Sequence, residues 1–135
     1  MLAAYYSKGA DSRELFAPYK IAESPSFEQY LNKFNVVKID LNAMYGTWTG
    51  LKQEEKKGDN FISFVSEQVC NEFKATFKDV DFGDKTALST YIQQVYTQKE
   101  ETFIIIIDEY DVLVREEVSK EEADSWITSA LLLTR

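Results

Sequence analysis

Five consecutive apolar residues, Phe103 to Ile107, run directly into Asp108 and Glu109. A short unbroken apolar run ending in charge predicts a strand covered on both faces that delivers its carboxylates at the C-terminal end. Upstream the period changes. Phe61, Val65, Val69, Phe73 and Phe77 recur every fourth residue, joined by Ile62, Phe64 and Cys70. That spacing predicts an amphipathic helix opened by Asp59. Leu88, Tyr91, Ile92, Val95 and Tyr96 predict a second helix, with a loop at Asp81 and Gly83 before it.

Val36 to Leu41 is rich in β-branched residues, lies between Asn35 and Asn42, and predicts another strand. Before it, Met1 to Ser7 looks like the end of a helix stopped by Gly9. Asp11 or Ser12 caps a short helix carrying Leu15, Phe16 and Tyr19 and broken near Pro18. Ser24-Pro25 starts another, with Phe27, Tyr30, Leu31 and Phe34 at helical spacing. Ala43 to Gly58 holds three glycines and the Lys52–Lys57 charged block, and is expected to be a loop with at most a short helical piece. Ser119 and Glu122 have the spacing of a capping box, opening a last helix through Ala123, Trp126, Ile127, Ala130 and Leu131.

The two strands are separated by a long helical stretch, which a parallel pair with a crossover accommodates and a hairpin does not. The expected fold class is α/β, a small parallel sheet with helices packed on it, and residues 1–135 are read as one domain. A hydrophobic fraction of 44% supplies a core, and no apolar run is long enough to cross a membrane. The net charge of −8 argues against a nucleic-acid surface, which needs clustered Lys and Arg. With no histidine, imidazole-based triads and zinc sites are excluded. Cys70 is the only cysteine and lies on an apolar helix face, so an inert buried thiol and a reducing, cytoplasmic setting are expected. Tyr5, Tyr6, Tyr30, Trp48 and Trp126 have the residue types for stacking on bases, but their helical spacing favours packing. The Phe61–Phe77 stripe reads as core before it reads as a partner-binding face. Glu116-Glu117 and Glu121-Glu122 read as solvated.

Open parallel sheets take ligands at the carboxyl ends of their strands. Asp108 and Glu109 occupy one such end, Asp111 follows, and, if the two strands are adjacent and parallel, Asp40 lies near the same edge on the other. Phe-Ile-Ile-Ile-Ile-Asp-Glu-Tyr-Asp at 103–111 resembles the Walker B segment of the AAA-ATPase-like family, P-loop ATPase domains often followed by a restriction-endonuclease-like nuclease domain. Met-Leu-Ala-Ala-Tyr-Tyr at 1–6 resembles the helix after that family's phosphate loop. Glu-Leu-Phe at 14–16, Lys20-Ile21-Ala22 and the Val36–Leu41 strand follow in the family's order. The resemblance implies a P-loop NTPase-like, Rossmannoid domain using ATP and Mg²⁺. Asp108, with Asp40 as a second candidate, would be the metal ligand, and Glu109 the catalytic carboxylate acting on water. It also implies that the two strands are neighbours.

These residues contain no Gly-x-x-x-x-Gly-Lys-Ser/Thr run. The expectation is therefore an incomplete, truncated or degenerate ATPase-like domain, a central slice without Walker A and without ATPase activity alone. An in-frame phosphate-loop codon run upstream of Met1 would mark it as a piece of a longer reading frame. The apolar Ile104–Ile107 edge is expected either to self-associate with another copy or to be covered by the helix after Ser119. The alternatives are a non-catalytic interaction module and a metal-dependent nuclease built on Asp40, Asp108 and Glu109.

Overall fold

The computed structural model describes residues 1–52, 60–84 and 87–116, together with 121, 124, 125 and 128. The architecture is α/β. Strands β1 (Asn35–Asp40) and β2 (Phe103–Asp108) are hydrogen-bonded neighbours in a small parallel sheet, as the crossover argument requires. Along β2, Phe103 is buried, Ile104 to Ile107 are half-buried and Asp108 is exposed. Burial thus falls away at the carboxylate end. The chain packs as two compact units, Met1–Lys38 with Glu101–Ile106, and Ile39–Glu100 with Ile107–Arg135. Each strand begins in the first unit and ends in the second.

In the first unit, α1 (Leu2–Tyr6), α2 (Arg13–Phe16) and α3 (Phe27–Tyr30) are single turns or little more. Such helices do not hold themselves up. They are held by a small aromatic core of Tyr5, Phe16, Phe27 and Leu31. The Tyr5 ring meets Phe16 edge-on, centroids 5.4 Å apart, and its hydroxyl donates to the Phe27 carbonyl at 3.0 Å. Burial also raises the Tyr5 phenol pKa. Ser12 takes the N-cap position of α2, but its hydroxyl donates to the Ala4 carbonyl at 2.7 Å instead of capping. The helix expected from Ser24-Pro25 starts later, at Phe27, and ends after one turn because Leu31 is extended and Asn32 is left-handed. Phe34 is consequently not helical. Its backbone forms a parallel bridge with Ser7 at the approach to β1.

The largest correction lies in the second unit. Leu41 to Gly50, most of it expected as loop, is a helix, α4. Asp40 is its N-cap, with Oδ1 accepting from the Ala43 N–H at 2.9 Å. Leu41, Tyr45 and Trp48 then fall on one face at helical spacing. Leu41 is fully buried, and Tyr45 and Trp48 meet Phe61 with centroids 5.2 and 5.7 Å away. Packing of this face outweighs Gly46 and Gly50, each of which disfavours a helix by ~1 kcal/mol relative to alanine.

Helix α5 (Phe61–Thr76) is capped by Asn60, whose Oδ1 accepts from the Ser63 N–H at 2.8 Å; Asp59 lies outside the described residues. It packs between α4 and α6 (Leu88–Lys99). Its stripe from Phe61 to Phe73 is buried, so it is core. Cys70 is buried there too, its thiol pKa pushed up to about 11 by burial, which leaves it unreactive. Tyr91 of α6 is 1% exposed and stacks on Phe82 at 4.4 Å, whereas Tyr96 projects into solvent. Glu100 closes α6 in the left-handed conformation, its N–H donating to the Tyr96 carbonyl at 2.8 Å. A single-turn helix, α7 (Val112–Arg115), follows β2 and packs on α4. The Ser119/Glu122 capping box, Trp126 and Leu131 lie outside the described residues, as do positions 53–57 of the charged block. Among the described residues, no helix is long and apolar enough to cross a membrane.

Candidate functional site

The site is the turn that joins β2 to α7. Strand β2 ends because Glu109 leaves the extended region altogether: its φ is +56°. For a residue with a Cβ, the left-handed region costs ~1 kcal/mol or more, and glycine is the usual occupant. Such outliers gather where a fold must aim a particular side chain. Two hydrogen bonds fix the conformation. The Glu109 N–H donates to Asp108 Oδ1 at 3.1 Å, and the Glu109 carbonyl accepts from the Val112 N–H at 3.2 Å. Just beyond, Val112 and Leu113 are buried and anchor the turn from below.

Asp108, Glu109 and Asp111 are all exposed on this turn. Asp40 stands at the same end of the neighbouring parallel strand, half-buried, with one carboxylate oxygen committed to the α4 cap. Arg115 ties the surroundings together. Its guanidinium donates to Asp111 Oδ2 at 3.4 Å, to Glu116 Oε1 at 3.1 Å and to Asn42 Oδ1 at 3.1 Å, linking α7 to the start of α4. Tyr110 donates to Asp124 Oδ1 at 3.4 Å, and its phenol pKa is raised by burial and then by that carboxylate. Beside the turn, Ile107, Tyr110, Asp124 and Thr128 line an open cleft of about 530 Å³. Burial also raises the Tyr45 phenol pKa, reinforced by Glu116.

The apolar-run-into-acid pattern located Asp108 and Glu109. It did not locate Arg115 or Tyr110. The available signal for Arg115 was its position four residues after Asp111, the spacing of a helical ion pair. Tyr110 stands within the 103–111 segment that carries the resemblance, but its partner Asp124 comes from a later segment and had no such signal.

Glutamate at 109 makes a direct prediction. Glu109→Gly should be more stable than Glu109→Ala by about 1 kcal/mol, because only glycine enters this φ without a Cβ penalty. Urea unfolding of the two variants measures the difference; equal midpoints would contradict the left-handed turn.

The fold and site define an α/β domain presenting carboxylates at the C-terminal edge of parallel strands. The family model described as a predicted AAA-ATPase matches residues 1–133, and the chain belongs to this AAA-ATPase-like family. No curated protein and no solved structure matches the chain.

Membership implies ATP and Mg²⁺ for the family in general. The residues present fit only one half of that pair. Asp108 and Glu109 offer exposed carboxylate oxygens suited to a hydrated cation. Among the described residues, the phosphate half finds no match at this turn. The 135 residues contain no phosphate loop, the turn is acidic, and Arg115 is already engaged by Asp111, Glu116 and Asn42. The described residues lining the cleft, Ile107, Tyr110, Asp124 and Thr128, carry a carboxylate and hydroxyls. A nuclease centre would need several carboxylates gathered on one ion. Among the described residues, no group of three Asp, Glu or Cys side chains is placed to hold a metal.

Proposed function

We propose that these 135 residues carry the Walker B half of an ATPase site and bind no nucleotide by themselves. Asp108 is the carboxylate on the cation side, holding the ion through its water shell, with Asp40 as a second acceptor on the next strand. Glu109 is the carboxylate that orients water. The observation carrying this assignment is Glu109 at φ +56° on the exposed end of an apolar strand, a costly conformation for a residue with a Cβ. Family membership supports the same roles. No hydrolytic step is assigned, because these residues contain no Gly-x-x-x-x-Gly-Lys-Ser/Thr run to cradle a polyphosphate.

Calorimetric titration with ATP and Mg²⁺ tests the proposal. No saturable binding is expected up to ~1 mM, a free energy weaker than about −4 kcal/mol. A micromolar Kd that Asp108→Asn abolishes would overturn it.

A further inference from the structure

The first unit contains one side chain with far more polar contacts than its neighbours. Asn32 is left-handed, at φ +55°, in the turn between α3 and β1. Its Nδ2 donates to the Ala4 carbonyl at 3.0 Å and the Ser7 carbonyl at 3.0 Å, with a longer contact to the Tyr5 carbonyl at 3.4 Å. Its Oδ1 accepts from the Ser12 N–H at 3.1 Å, and its backbone N–H donates to the Tyr5 carbonyl at 2.7 Å.

These partners include carbonyls at the C-terminal end of α1. The last carbonyls of a helix have no intrahelical donor and need one from elsewhere. Local caps normally supply it from the next few residues. Here Ser7, the residue after α1, is extended, so the donors come from further on: the Ser12 hydroxyl shares the Ala4 carbonyl with Asn32, and Asn32 alone of the two reaches the Tyr5 and Ser7 carbonyls. The same side chain also accepts from the start of α2. Two residues on, the Phe34 N–H donates to the Tyr6 carbonyl at 3.0 Å, and the Lys8 N–H donates to the Phe34 carbonyl at 2.7 Å. The strand-like pairing of Ser7 with Phe34 therefore begins where the Asn32 contacts end.

We infer that Asn32 is a remote C-cap and clamp: one amide side chain docks α1 onto the segment entering β1 and sets the register of that pairing. Asparagine suits both requirements. It tolerates the left-handed region better than most residues, and its amide donates and accepts at once. Aspartate would keep the bond to the Ser12 N–H but would face three carbonyl oxygens with a carboxylate. Glycine would keep the backbone conformation and lose every side-chain bond. The clamp requires no nucleotide or cation, so it stands or falls separately from the ATPase assignment.

Amide hydrogen exchange on the full 135-residue chain tests it, comparing wild type, Asn32→Gly and Asn32→Asp. If Asn32 served only to adopt a positive φ, glycine would match or exceed the wild type. The clamp predicts instead that Asn32→Gly accelerates exchange at Tyr5, Ser7, Lys8 and Phe34 by about a hundredfold, leaving α5 and α6 protected. Asn32→Asp should accelerate the same amides at least as much. Should Asp unfold the chain outright, the glycine variant decides the matter. Unchanged protection of those amides in Asn32→Gly would overturn the clamp.

Discussion

Val112→Asp should cost about 5 kcal/mol, enough to unfold a domain of ordinary stability. Val112 is fully buried immediately after the acidic turn, on α7 where it packs against α4. A carboxylate there loses hydration without gaining a cation. Keeping it protonated near neutral pH requires a pKa some three units above the ordinary value, or about 4 kcal/mol. Lost burial of the valine methyls adds ~1–2 kcal/mol. Val112→Ala isolates the second contribution and should cost about 2 kcal/mol. Chemical denaturation of the pair measures both. An Asp variant within 1 kcal/mol of the Ala variant would mean that the turn is not anchored in the core.

Tyr91→Ala is the second large effect. Tyr91 is 1% exposed, stacks on Phe82 at 4.4 Å and meets Phe73 edge-on at 6.3 Å. Its ring also lies under the Lys74 ammonium, 5.7 Å from the centroid. Truncating a large aromatic in a core costs ~3–5 kcal/mol, since the cavity is only partly refilled. For a chain of this size, that lowers the Tm by about 15 °C. Tyr96 lies on the same helix but is 58% exposed, so Tyr96→Ala supplies an internal control with little change. Equal melting temperatures for the two variants would contradict the placement of α6.

Both predictions rest on elements that differed in how plainly the sequence announced them. Helices α5 and α6 were legible because their apolar residues recur at helical spacing over several turns. Strand β2 was legible from its uninterrupted apolar run, and its parallel pairing with β1 from the long helical crossover. Helix α4 was not, because Gly46 and Gly50 masked the spacing of Leu41, Tyr45 and Trp48. The capping signal was present in Asp40, but a carboxylate at a strand end also reads as a ligand. In the structure, one of its oxygens caps α4. The short helices of the first unit had poor boundaries for a different reason. Their ends are set by tertiary contacts such as the Tyr5 cluster and Asn32, which no local window contains.

The candidate site divides the same way. Asp108 and Glu109 were visible because charge follows an apolar run. The left-handed turn at Glu109 was invisible, since glutamate gives no sign of a positive φ. Arg115 and Tyr110 depend on partners brought in by the fold. The family assignment now covers residues 1–133, while the roles given to the two carboxylates rest on the turn that carries them.

On the proposed reading, a divalent cation sits at this turn. Paramagnetic broadening of backbone amide resonances by Mn²⁺, a Mg²⁺ surrogate, tests it most directly. Broadening should be strongest at Asp108 to Asp111 and should vanish there in Asp108→Asn. Broadening centred elsewhere, or unchanged by that substitution, would rule out Asp108 as a cation ligand.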